Sequence, residues 1–147
     1  MRAAAILLAA FLLGPSPGVA ADASTAEDPI ATAREACTDK DNQTDMNLCT
    51  YELHKQLDAE LKRTYDALLA RVTAKADKKR LRHAQRSWAI YLAQHCTFQT
   101  AGVVGGSVQP TIYNLCALEL TELRLKELAY HLTCEEGDLS CPYPARN

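Results

Sequence analysis

The chain has 147 residues, with 16 basic and 18 acidic side chains and a formal net charge of −2. A nearly balanced, slightly acidic composition speaks against nucleic acid as a partner, and the length fits one domain. The six cysteines are an even number, which in an exported chain reads as a disulfide framework.

At the N-terminus Arg2 supplies a positive charge, and Ala3 to Leu13 form an uncharged apolar run. Gly14, Pro15, Pro17 and Gly18 interrupt it, and Val19-Ala20-Ala21 offers the small residues that signal peptidase requires. This order of charge, apolar run and small residues is a secretory signal. The run falls short of the roughly 20 residues that span a bilayer, and no cysteine near it could carry a lipid. Residues 1–21 are therefore predicted to be removed, Ala23 being a second cleavage point. The product is predicted to be periplasmic or secreted, without a membrane anchor. The remaining 126 residues hold 15 basic and 18 acidic side chains.

Residues 22–36 read as a polar lead-in with the start of a short helix. Asp28 before Pro29 is the N-cap and first turn of that helix, which is predicted to end near Cys37. The polar stretch Thr38 to Gln43 is a turn, and Thr44 or Asp45 is the expected cap of a long helix. Its apolar stripe is Met46, Cys49, Leu53, Leu57, Leu61, Tyr65, Leu68 and Val72, spaced by three or four throughout. The pattern pauses near Ala74, and Asp77 is the expected cap of a second long helix. That helix carries Leu81, Gln85, Trp88, Tyr91 or Leu92, and His95, and runs to about Gln99. Residues 101–109 form a glycine-rich connection, and Pro110 suits the first turn of a last helix. The inner face of that helix is predicted to hold Tyr113, Cys116, Leu120, Leu123 or Arg124, and Leu128. The fold class is thus all-α: a small disulfide-stapled bundle of three long helices plus a short N-terminal helix. The domain covers 37–132, and 133–147 form a C-terminal tail.

Three long helices with short connections should run up, down and up. A helix from 44 to 73 would be about 45 Å long, so the ends of the bundle are far apart. Cys37, Cys49, Cys96 and Cys116 gather at one end, and Cys134 lies at the other, within reach of Cys141. The favoured set is Cys37–Cys49, Cys96–Cys116 and Cys134–Cys141, and exchange of partners among the first four is the competing arrangement.

Few residues suggest chemistry. Asp58 and Glu60 are two helix positions apart and point about 200° from each other, so they form no carboxylate pair. Asp58 borders the apolar stripe, and Arg124 is its expected partner there. Trp88 reads as core, with Gln85 or a facing helix accepting from its indole N–H. The four histidines have no metal-ligand spacing, and no Cys-x-x-Cys pair occurs. Ser107 lacks the flanking pattern of a nucleophile elbow, and the glycines lack a phosphate-loop lysine. No catalytic residue, metal or cofactor is predicted.

Several segments resemble the LprI-like lysozyme inhibitor family. Gln43-Thr-Asp-Met-Asn47-Leu-Cys49 is similar to its opening motif, and Asp58-Ala-Glu-Leu61-Lys-Arg-Thr-Tyr65 to its second. Leu81-Arg-His-Ala-Gln85-Arg-Ser-Trp88 with Cys96 resembles the third. Gly105-Gly-Ser107, Cys116, Leu120-Thr121-Glu-Leu-Arg124 and Leu128 resemble the last. The likeness runs from Cys37 to about Leu128. Where the family usually has an Arg-Asp pair after the tryptophan, this chain has Leu92 and Ala93, and Cys134 and Cys141 lie outside the motif set. The resemblance implies a small exported helical protein that inhibits lysozyme through protein–protein binding.

Taken with that resemblance, the glycine-rich loop is the candidate contact. Val103, Val104, Gly105, Gly106 and Ser107 would form a small insertion loop stiffened by Cys96–Cys116, suited to blocking a muramidase cleft. The alternative is an envelope interaction or scaffold module with a non-lysozyme partner.

Overall fold

The computed structural model describes residues 28–133, 135 and 137–141. The predicted signal and most of the tail lie outside them. Among the described residues the regular structure is helical: α1 (Pro29–Thr38), α2 (Gln43–Arg71), α3 (Lys75–Gln99) and α4 (Gln109–Thr133), with a 3-10 turn at Ala101–Val103.

Helix boundaries follow local capping. The Asp28 carboxylate accepts from the Ile30 N–H at 2.9 Å, and Pro29 needs no partner in the first turn. α2 starts earlier than Thr44 or Asp45, because Asn42 is the cap. Its Oδ1 accepts from the Asp45 N–H at 3.0 Å while its amide donates to the Asp45 carboxylate at 2.8 Å. This reciprocal pair resembles a capping box. Asp77 does not cap α3. The connection is only Val72–Ala74, α3 begins at Lys75, and Asp77 sits in the first turn, paired with Arg80.

α2 and α4 share the largest interface, and they are parallel. Asn47 meets Thr111, Thr50 meets Asn114, His54 meets Thr121 and Arg71 donates to the Leu132 carbonyl. α3 runs the other way, with Gln85 against Arg124 and Cys96 bonded to Cys116. The up-down-up order holds. α1 packs on α2 and is joined to α4 by Arg34–Glu122 at 3.2 Å.

The core is two-part. Between the middle and the α2–α3 turn, Leu61, Leu68 and Leu128 form an apolar cluster against which Tyr65, Leu81, Trp88, Leu125 and Leu132 pack. Leu57 is buried just beyond it. Towards the other end the α2–α4 seam is largely polar: Thr50, Thr111, Asn114 and Thr121 are buried there, with Ala117 and Leu118 between them. The stripe predicted for α4 is therefore displaced. Thr111, Asn114, Ala117, Leu118, Thr121, Arg124 and Leu128 face inward, Leu123 faces solvent, and Tyr113, Cys116 and Leu120 are half-buried. Small side chains along this face let α2 approach closely. Thr50 tolerates burial because its hydroxyl donates to the Met46 carbonyl at 2.8 Å.

Two further expectations are corrected. Asp58 is exposed, one position and 100° round the helix from buried Leu57. Arg124 finds compensation elsewhere: its Nε donates to Gln85 Oε1 at 3.1 Å and its Nη1 to Glu127 at 2.8 Å. The Gln85 carbonyl is thus engaged by Arg124 and not by Trp88, which stays half-buried beside the cluster.

Candidate functional site: the stapled loop between α3 and α4

α3 ends where Thr100 turns the chain inward. Thr100 is buried, its N–H donates to the Cys96 carbonyl and its hydroxyl to the Thr97 carbonyl. Three tight turns follow. Val103 N–H donates to the Thr100 carbonyl, Gly106 N–H to the Val103 carbonyl at 2.9 Å, and Gln109 N–H to the Gly106 carbonyl at 3.1 Å. The path needs glycine at two points. Gly105 has φ +77°, which β-carbon-bearing residues rarely adopt, and a Cβ on Gly106 would sit 3.1 Å from the Val103 carbonyl oxygen. The Gln109 side chain closes the loop by accepting from the Gly105 N–H at 2.8 Å.

Asn47 on α2 fastens this loop to the bundle. Its amide donates to the Ser107 carbonyl at 3.0 Å, and its Oδ1 accepts from the Thr111 N–H at 3.1 Å and the Thr111 hydroxyl at 2.6 Å. Gln43, one turn earlier, donates to both Asn47 Oδ1 and the Thr111 hydroxyl. Thr111 lies in the first turn of α4, so Asn47 supplies from another helix the acceptor that a cap residue normally supplies. Asn47 had no role assigned from sequence. Its i, i+4 spacing from Gln43 shows a shared helix face, but the partner is 64 residues away.

The two disulfides frame the same end. Cys96–Cys116 ties the last turn of α3 to α4, and Cys37–Cys49 ties the end of α1 to the start of α2, with Cα separations of 5.6 and 5.3 Å. Cys141 is buried and disulfide-bonded; Cys134, its predicted partner, lies outside the described residues.

The loop surface differs from expectation at one residue. Val104 projects into solvent at 72 % exposure, whereas Val103 is half-buried. Gly105, Gly106 and Ser107 are exposed. Beside the loop, Leu48, Tyr51, Pro110 and Tyr113 line a mainly apolar groove of about 550 Å³ between α2 and α4. The helical stripe assigned to α2 from sequence leaves Leu48 and Tyr51 outside it, which is where the groove could have been seen. The stretch from the end of α3 through the loop into α4 is electrically quiet, since residues 87–118 contain no Lys, Arg, Asp or Glu.

Among the described residues no three His, Cys, Asp or Glu side chains gather to hold a metal, and no helix is long and apolar enough to cross a membrane. The histidine with a resolved shift is His54, whose pKa is lowered by burial against α4, partly offset by the nearby Asp58 carboxylate. Its Nε2 lies 3.5 Å from the Thr121 hydroxyl, far from the loop in sequence.

No solved structure matches this chain. It is similar to an uncharacterized protein of Rhizobium meliloti (strain 1021), 31% identical over 141 residues, covering 87% of this chain and 94% of that protein. The model of the family described as lysozyme inhibitor LprI matches residues 33–128, from α1 through the stapled loop to the buried Leu128 of α4. The chain belongs to the LprI lysozyme inhibitor family.

Proposed function

We propose that this chain is an exported protein that binds a lysozyme-type muramidase and inhibits it by placing the loop Gly102–Pro110 in the substrate cleft. The observation that supports this reading is a loop that projects Val104 and Ser107 while its backbone is already fixed. Cys96–Cys116, Asn47 and Gln109 hold it. A preordered loop loses little conformational entropy on binding. A muramidase cleft carries a pair of catalytic carboxyl groups, and an uncharged loop enters it without like-charge repulsion. The Ser107 hydroxyl and the small glycines fit sugar-sized subsites, and the Leu48–Tyr51–Tyr113 groove would meet the cleft rim.

The test is digestion of a cell-wall suspension by lysozyme in the presence of the oxidised mature protein. Wild type should slow it, and Val104→Asp and Ser107→Glu should each weaken inhibition by at least about tenfold, because a carboxylate beside carboxylates costs several kcal/mol. Both positions are exposed, so stability should change by less than about 0.5 kcal/mol. Gly105 and Gly106 are poorer test positions, since side chains there distort the loop itself. A folded variant with full inhibition removes the loop from the mechanism. Failure of wild type against every lysozyme tried leaves the envelope interaction module as the better reading.

A further inference from the structure

The end of the bundle opposite the loop carries a different surface. Residues 62–86 hold nine Lys or Arg against two Asp, a net of +7 in a chain that is acidic as a whole. The tight Val72–Ala74 connection folds this segment back on itself, so the C-terminal half of α2 and the N-terminal half of α3 bring their cations to one end. The two aspartates are each engaged locally, Asp66 with Lys62 and Asp77 with Arg80. Arg71 is turned to the Leu132 carbonyl.

Five of the remaining cations form a stripe. Lys75, Lys78, Lys79, Arg82 and Arg86 fall within an arc of about 100° on α3, at 3.6 residues per turn. Lys78 is half-buried and the other four are exposed. The stripe lies well round the helix from Leu81 and Trp88, which pack on the apolar cluster. Following the same side of α3 towards its C-terminus, the charges stop and the exposed Ala89, Ile90, Ala93 and Thr97 succeed them, Ile90 at 59 % exposure, while Phe98 lies about 150° round the helix from the middle of the stripe. One exposed side of a single helix is thus cationic in its first half and uncharged in its second, with Ile90 as its large apolar side chain.

We propose that this side of α3 is a docking surface for an anionic phospholipid membrane, with the lysines and arginines on the lipid phosphates and Ile90 entering the headgroup layer. Charge complementarity selects an anionic surface, and the exposed Ile90 at the end of the stripe favours a lipid over a fully hydrated polyanion. A nucleic acid is disfavoured on the same observations. Trp88, two residues past Arg86 on the same helix, packs against the core and is not presented for base stacking. The surface is separate from the stapled loop, so bound protein would keep the loop end directed away from the lipid.

The experiment is co-sedimentation of the oxidised mature protein with phosphatidylcholine vesicles, with and without phosphatidylglycerol, at increasing salt. Binding is expected only to the phosphatidylglycerol vesicles and should fall as salt rises. Each cation near an anionic surface strengthens binding roughly fivefold. A variant carrying Lys75→Gln, Lys79→Gln, Arg82→Gln and Arg86→Gln should therefore bind at least a hundredfold more weakly, on the order of several hundredfold. Its circular dichroism and melting should match wild type. Should that variant fail to fold, the salt dependence of wild type and an Ile90→Asp variant carry the test: wild type should lose binding as salt rises, and Ile90→Asp should bind more weakly throughout. Equal binding to both vesicle types, no binding at low salt, or unchanged binding of a folded quadruple variant would overturn the proposal. So would tight binding to a DNA duplex or polyphosphate without vesicle binding. Val104→Asp should leave vesicle binding intact, which keeps the loop reading and this one separately testable.

Discussion

The two ends of this bundle are held together by different means. At the α2–α3 turn, Leu61, Leu68 and Leu128 exclude water while the outside is densely cationic. At the loop end the seam between α2 and α4 is built from Gln43, Asn47, Thr50, Thr111 and Asn114, one disulfide ties α1 to α2 and another α3 to α4, and residues 87–118 carry no Lys, Arg, Asp or Glu. Apolar packing stabilises whatever shape excludes water best. A hydrogen-bonded seam flanked by cross-links specifies one backbone path, which a presented loop requires.

The largest effects should come from attacking each end by its own means. Leu68→Ala should cost roughly 2–5 kcal/mol in denaturant unfolding, because a fully buried side chain leaves a cavity between α2, α3 and α4. Loop conformation, read by hydrogen exchange of residues 101–109, should change little under conditions where the variant is folded. A loss below about 1 kcal/mol would show that the turn end does not carry the apolar core. Replacing Cys96 and Cys116 together by serine should cost about 3 kcal/mol by the chain-entropy estimate for a loop of this length. Here exchange should accelerate around 98–112 first. Uniform acceleration along all helices would erase the distinction between the two ends.

A smaller and more local effect separates the loop from its support. Asn47→Ala removes the grip on the Ser107 carbonyl and the acceptor for Thr111, and should lower stability by about 1–2 kcal/mol. Asn47→Asp keeps the acceptor and loses the amide donor. It should recover most of the stability while leaving the loop carbonyl released. If the loop is the inhibitory element, Asn47→Asp inhibits lysozyme less well than its melting temperature alone would suggest. Equal inhibition by Asn47→Asp and wild type would show that loop position does not depend on this contact.

The same contrast explains what could be read from sequence. At the turn end the leucines of α2 recur at three or four residues, and that period directly reports a buried face, so Leu57, Leu61 and Leu68 were legible as core. At the loop end burial follows close helix approach, not hydrophobicity. Thr111, Asn114 and Thr121 are inside because they are small and find partners on α2, and no periodicity of apolar residues could signal that. That four cysteines share the loop end was legible from helix length; which of them pair was not, and the structure shows Cys96–Cys116, the favoured of two arrangements. The role of Asn47 was not, because its contacts cross 60 and 64 positions of sequence. Asp58 and Arg124 show the limit of matching charges by eye. A step of one residue on α2 puts Asp58 in solvent, and Gln85 from α3 takes its place. The cationic turn was hidden differently: averaging charge over the chain cancels nine cations of one segment against the acids of the others.

The smallest predicted effect lies on the seam that joins the two ends. His54 is partly buried beside Thr121, and burial lowers its pKa below the ordinary value of 6.5, with Asp58 opposing. In the unfolded chain the imidazole takes up a proton at about the ordinary value; in the folded protein it resists doing so. Between those two points the unfolded state binds more protons, so acid favours unfolding. The contribution of neutral His54 is fully present above pH 6.5 and is lost as pH falls from there through the lowered folded value. The depressed carboxyls of Asp28 and Asp138 act near and below their ordinary 3.8, and the raised amines of Lys62 and Lys126 at and above their ordinary 10.5, so neither pair overlaps this window. Melting temperature followed by circular dichroism should therefore decline modestly as pH falls below 6.5, and His54→Gln should flatten the decline. Because His54 sits on the polar seam, the protons should loosen α2 from α4 and leave the leucine cluster intact, so exchange at 114–121 should respond to acid before exchange at 124–132. An unchanged slope in His54→Gln would mean that the seam is not where the protein senses acid.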